Sequence, residues 1–232
     1  MTQPKQAAIT IITVVFNGAE TLESTIQSVI NLGREDVRYI VIDGGSKDGT
    51  VDVIKRYQHA IDDWVSEPDK GIYDAMNKGW NKADPATSIL FLGSGDTIEK
   101  LPSGFNTDQI VYGTVRLGDN KPDFVGAHRK LLKIANTLHH QALLVPKKFA
   151  PDSPFNLQYK VYADFDFNQR LLKAGHDFVF SEDFIAYALP EGVSARLYLK
   201  ELVEIVMRNF GVIWALVSWL HGIRHLYLHR KA

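Results

Sequence analysis

The sequence predicts an α/β fold, a mostly parallel sheet flanked by helices, with a C-terminal helical extension. Two patterns carry that expectation. Strand-like and helix-like segments alternate four times in fewer than 100 residues, as expected for parallel strands joined by right-handed crossovers. Beyond Arg196 the apolar spacing becomes wholly helical. The predicted division is an α/β domain over 1–195 and an amphipathic extension over 196–232.

Ala8 to Val15 is apolar and β-branched, the composition of a strand buried on both faces. Leu22, Ile26 and Val29 recur at helical spacing after the Asn17-Gly18 turn. Tyr39 to Ile42 predicts the second strand, and Thr50 to Gln58 its helix. Trp64-Val65-Ser66 and Ile72 to Lys82 repeat the unit, and Ser88 to Leu92 forms a fourth strand ending at Gly93-Ser94-Gly95-Asp96. After Asp96 the texture suits a mixed or antiparallel region. Its expected strands are Gln109 to Leu117 and Pro122 to Leu132 around a Gly118-Asp119-Asn120 turn, then Gln141 to Val145, Asp177 to Ser181 and Phe184 to Ala188. Tyr162 to Ala174 predicts a helix closed by Gly175.

The 232 residues are 45% hydrophobic, enough for one domain with a sizeable core plus an appendage. A net charge of -1 provides no basic field for nucleic acid. With no cysteine, disulfides, thiol catalysis and Cys-ligated zinc are excluded, and a cytoplasmic location is expected. Met1 to Ala7 is polar, so no signal peptide is expected. The eight histidines form no His-Glu-x-x-His pattern.

Ligands of open α/β sheets bind outside the carboxyl ends of the strands. Asp43 closes the second strand there, either accepting hydrogen bonds from a nucleotide or capping its own turn. Ser66 through Gly79 is a polar, glycine-containing strand end that points backbone amides and Lys70 at the same edge. Asp96 follows the fourth strand, where a carboxylate either holds a divalent cation or makes an ordinary turn. Asp164 and Asp166 begin a helix, one as a candidate general base and the other as a cap. His139-His140-Gln141 lies between them, with His140 able to meet a phosphate or an acceptor.

Together these stretches resemble the inverting family 2 glycosyltransferases of GT-A fold. The matches are Thr13 to Asn17, Ile42 to Thr50, Ser66 to Gly79, Phe91 to Asp96, His140-Gln141 and Ala163 to Asp166, in order between Ala8 and Ser194. The likeness is greatest to the bacterial surface-polysaccharide branch, such as colanic-acid, capsule or O-antigen transferases. It implies a hexosyltransferase-type enzyme using a nucleotide-diphosphate sugar and a glycan or lipid-linked acceptor. It further implies that Asp43 contacts the base, that Val14 to Phe16 and Asn17 line the base pocket, and that Asp69, Lys70 and Asn77 lie by the ribose and diphosphate. Asp164 would be the catalytic base and Asp96 the ligand of Mg2+ or Mn2+, although Ser94 or Gly95 replaces the first carboxylate of the family's Asp-x-Asp element. The alternatives are a nucleotidyltransferase, disfavoured because Asn17-Gly18-Ala19-Glu20 carries no Lys or Arg, and a catalytically weakened nucleotide-sugar-binding protein.

In the extension, Leu199, Leu202, Val203, Val206 and Phe210 form one stripe opposite Lys200, Glu201, Glu204 and Arg208. Phe210 to Ile223 carries no Lys, Arg, Asp or Glu, yet it is shorter than the roughly 20 residues of a membrane span. The pattern fits either a helix lying on a membrane surface or a helix pair packed on the domain or a second copy.

Overall fold

A computed structural model describes residues 7–104, 106–118, 123–126, 130–189 and 198–229. Strands β1 (Ile9–Val15), β2 (Val37–Asp43), β3 (Asp63–Ser66) and β4 (Ser88–Gly93) are parallel neighbours in the order β3-β2-β1-β4. Helices α1 (Leu22–Asn31), α2 (Thr50–Arg56) and α3 (Ile72–Lys82) are the crossovers. The unbroken apolar runs are explained by burial on both faces. Ile9, Ile11 and Val15 of β1 pack with α1 and α2, whereas Ile12 and Val14 share a core with α3.

The sheet changes character beyond β4. It continues through β8 (Leu143–Pro146), β6 (Ile110–Arg116), β9 (Phe178–Tyr187) and β5 (Thr97–Lys100), with the two-residue β7 (Phe124–Val125) paired to β6. The β4–β8, β8–β6, β6–β7 and β5–β9 pairs are antiparallel, and β6–β9 is parallel. Helix α4 (Ala163–Lys173) covers the face shared with α3, and α5 (Leu199–Phe210) adds Leu202, Ile205 and Val206 to that core. Helix α6 (Val212–His229) follows.

Several boundaries differ from the sequence expectation. Among the described residues of the strand expected over Pro122 to Leu132 only Phe124 and Val125 pair, and Leu131–Lys133 is a 3-10 helix. Gln141 and Ala142 belong to a 3-10 turn, His140–Ala142, so β8 starts at Leu143. The two late strands are one, β9, which runs through polar Ser181 to Asp183 because a register shift against β6 absorbs them. β5 escaped prediction because Ile98 is its only buried residue. The expected turn residues Asp119 and Asn120, and the expected 195/196 boundary, lie outside the described residues.

Gly79 shows how closely α3 approaches the sheet: a Cβ there would meet Ile12 Cγ2 at 2.4 Å. Ile12 is fully buried and has nowhere to go. Gly79→Ala gains roughly 1 kcal/mol of helix propensity but over-packs the core at about 1–3 kcal/mol. The expected result is a lower urea midpoint at unchanged slope, and a raised midpoint would show that α3 can retreat freely.

Candidate active site

Two loops meet at the carboxyl end of β1 and β2. The Gly44 amide donates to Val15 O (2.9 Å), and the Glu67 amide donates to Asp43 O (3.0 Å), which sets β3's exit beside them. The Asn17 amide donates to Ser46 Oγ (2.7 Å), while Asn17 Oδ1 accepts from the Lys47 amide (3.1 Å). Phe16, 64% exposed, stands at this edge. A Cβ on Gly44 would strike Asp69 Oδ2 at 2.3 Å and touch the Phe16 ring, so the Asp69 carboxylate packs against this backbone only because residue 44 has no side chain. Asp69 Oδ1 accepts from the Gly71 amide (2.8 Å), Lys70 is exposed, and Asp74 Oδ2 accepts from the Lys70 amide (3.0 Å).

Asp43 is fully buried, and it accepts from the Gly45 amide (3.2 Å), the Ser46 amide (3.1 Å), the Ser66 hydroxyl (2.5 Å) and the Ser46 hydroxyl. It thus caps its own turn, and the four donors take up the roughly four lone-pair positions of the carboxylate. Val14 is packed in the core at 5% exposure and offers the edge only its carbonyl, which accepts from the Ser94 amide (3.1 Å). Asn77 also faces inward, with both halves of its amide bonded to the Phe155 backbone at 2.9 Å. The polar loop preceding Asn77 disguised that partner, 78 residues away. An open groove of about 600 Å3 lies beside this pocket between Asn17 to Thr21 and Lys47-Asp48. Of the expected site residues it includes Asn17 alone.

The second half of the site forms where β4, the turn before β8 and the start of α4 converge. Asp96 is 6% exposed. Its Oδ2 accepts from the Gly93 amide (2.9 Å) and Gln141 Nε2 (3.0 Å), and its Oδ1 accepts from the Leu189 amide (2.9 Å). One residue earlier, His140 Nδ1 lies 3.6 Å from Asp164 Oδ2. A single 3-10 turn therefore meets both carboxylates, Asp96 and Asp164. Asp164 Oδ1 also accepts from the Phe165 amide (2.8 Å) and lies 3.1 Å from the Tyr73 hydroxyl, which donates to Val161 O at 2.6 Å. Burial and then the Asp164 charge hold the Tyr73 phenol well above its usual range. Burial is the largest influence on His140 and lowers its pKa, but the hydrogen-bond and charge contributions of Asp164, with the Asp96 charge, raise it on balance. His139, stacked edge-on against Phe124, is held low, first by burial and then by His140. An enclosed cavity of about 20 Å3, the size of one water, lies against His140, Asp164, Trp80 and Asn168.

Sequence reasoning did not single out Tyr73 and Gln141 individually, although both stand inside stretches it had marked. Asp166 is structural: Oδ2 accepts from Arg170 Nε (2.9 Å) and Oδ1 from Asn209 Nδ2 (3.1 Å), fastening α4 to α5.

A cation at this edge would meet one carboxylate. Three of the roughly four lone-pair positions on Asp96 are occupied, which leaves one. Among the described residues no group of three or more His, Cys, Asp or Glu is placed to hold a metal. The donor set fits a Mg2+-like ion that arrives on a diphosphate and keeps its waters, and does not fit a protein cage.

Residues 10–101 match the family described as Glycosyl transferase family 2. A PGL/p-HBAD biosynthesis glycosyltransferase of Mycobacterium bovis is 30% identical over 176 residues, covering 69% of this chain and 68% of the relative. Two solved structures share the fold, which is of GT-A type. S. aureus TarS 1–349 in complex with UDP-GlcNAc has a TM-score of 0.63 at 14% identity, over 85% of this chain and 64% of that one. A mannosyltransferase from Pyrobaculum calidifontis in complex with GDP-Man and Mn2+ has a TM-score of 0.60 at 16% identity, over 92% and 70%.

Proposed function

The chain belongs to glycosyl transferase family 2 and is a glycosyltransferase, and on that premise we propose that it transfers a sugar with inversion from a nucleotide-diphosphate donor to a hydroxyl acceptor in surface-polysaccharide synthesis. The observation that carries this reading is the turn at His140-Gln141, which meets Asp164 through His140 and Asp96 through Gln141. Phe16, Asn17, Asp43, Asp69 and Lys70 form the nucleotide side. The base would lie beside the exposed Phe16 ring, with Asp43 reached by displacing Ser46 Oγ, and the Lys70 ammonium would face the diphosphate.

Asp164 is the general base in this proposal. Its carboxylate takes the proton of the acceptor hydroxyl as that oxygen bonds to the anomeric carbon, and the nucleoside diphosphate leaves from the opposite face with the bonding electrons. The Phe165 amide bonds one carboxylate oxygen, with the Tyr73 hydroxyl beside it, and the other oxygen lies beside His140. A divalent cation, Mg2+ or Mn2+, would be held by Asp96 and would offset charge on the departing phosphate. His140, partly exposed and drawn toward its charged form by Asp164, would face the acceptor or a phosphate oxygen.

The test is a product assay with α-linked UDP- and GDP-sugars, reading the new anomeric configuration by NMR. A β-linked product is expected. An α-linked product would overturn the single displacement, and nucleotide-sugar binding without turnover on any acceptor would favour the catalytically weakened binding protein.

A further inference from the structure

Helix α6 presents a surface that the glycosyltransferase reading does not use. Its buried residues, Ala215, Ser218 and Gly222, fall within about one sixth of the helix circumference. Ser218 Oγ donates to Ile134 O (2.6 Å), and Lys133 Nζ lies 4.9 Å from the centre of the Trp214 ring, which pins that face to the domain. On the opposite side, Ile213, Leu216, Leu220, Ile223 and Tyr227 are exposed, flanked by Val217 and Trp219. At 3.6 residues per turn this apolar arc covers about half the circumference, wider than the narrow seam of a helix pair. No described helix is long and apolar enough to cross a membrane.

The charge pattern selects the partner. After Glu204 the sequence contains no Asp or Glu, although the whole chain has a net charge of -1. The same stretch carries Arg208, exposed Arg224 at the end of the apolar arc, and in sequence Arg230 and Lys231. Trp219, half-exposed on the flank of the apolar arc, suits the level of lipid head groups. We infer that α6 lies in the interface of an anionic lipid surface and seats the enzyme there, so that its acceptor is lipid-linked. A second copy of the chain would pack against one face and would gain nothing from a local excess of cations.

The seat is mechanically joined to the chemistry. Glu201 of α5 accepts from the amides of Val161 (2.9 Å) and Tyr162 (2.7 Å), the residues that lead into Asp164, and Asn209 reaches Asp166. Through α5, a bilayer under α6 has a fixed relation to the carboxylate that would receive the acceptor hydroxyl. The acceptor class rests on the transferase reading above, but docking does not.

Flotation of the full chain with vesicles tests the inference. Vesicles containing about one third phosphatidylglycerol should bind at low salt at least tenfold more tightly than phosphatidylcholine alone. Arg224→Glu should weaken that binding by about 10- to 30-fold, and Ile213→Asp with Leu220→Asp should abolish it. All three side chains are exposed, so the fold is not at stake. Equal binding to both vesicle types, unaffected binding by the double variant, or a stable dimer by sedimentation velocity that ignores the anionic vesicles would each overturn the proposal. Donor hydrolysis by water, measured in parallel, separates the two readings. Hydrolysis without vesicle binding removes only the lipid seat, whereas vesicle binding with a catalytically inert protein removes only the transferase mechanism.

Discussion

Asp164→Asn is expected to lower kcat by about 100- to 10,000-fold, the range supplied by a positioned base, while nucleoside diphosphate binding in calorimetry stays within about twofold. The change preserves the side chain's size and removes its basicity. A second readout is independent of turnover. His140 owes its raised pKa to Asp164, so in the variant burial dominates and the imidazole should titrate below its ordinary 6.5. The sign follows for stability. The wild-type pair stabilises the fold most below pH 6.5 and loses that contribution as pH rises through the raised value of the folded state. The variant should therefore lose more stability on the acid side than at pH 8. Asp166→Asn is the comparison: it weakens the bonds to Arg170 and Asn209, costs about 1–3 kcal/mol, and leaves the chemical step nearly intact. An inert Asp166→Asn beside an active Asp164→Asn would move the base by two residues.

Asp96→Asn is expected to abolish stimulation by Mg2+ or Mn2+ and also to destabilise the protein by about 1–3 kcal/mol. The structural cost follows from its partners. Whichever way the new amide turns, its NH2 group faces an N–H donor, Leu189 on one side or Gly93 and Gln141 on the other. Metal titration of activity, with urea unfolding in parallel, separates the two effects. Full turnover in excess chelator, in wild type and variant alike, would reduce Asp96 to a fastening between β4, the His140–Ala142 turn and the end of β9.

β1, β2 and β4 of the parallel half were legible because each is a short apolar run, buried on both faces and followed by a glycine-bearing turn. The second half hid its strands for the opposite reason. β5 has one buried residue, β7 has two residues, and β9 carries Ser181, Glu182 and Asp183 in its middle. Their pairing is decided by neighbours far away in sequence. Singly, an aspartate at a strand or helix end is common. In the site, Asp43, Asp96 and Asp164 stood out because they fall, in order, in the stretches that resemble the family. Their bonding did not. That Ser46 and Ser66 occupy Asp43, that Phe155 occupies Asn77 and that Tyr73 supports Asp164 are facts of tertiary contact at separations of 3 to 91 residues. The resemblance implies Val14 at the base pocket, whereas β1 is buried on both faces and Val14 packs in the core shared with α3.

The short ladder between β4 and β8 has a consequence for the order in which the chain is made. β1 to β4 emerge from the ribosome complete, with β4 paired only to β1 along one side. Its other side is an unpaired edge until residues 143–146 arrive, about 50 residues later, and even then only Ser88 and Ile89 find partners. At a few to twenty residues per second that edge is bare for seconds during synthesis. The nascent parallel half thus exposes a template on which a foreign strand can pair.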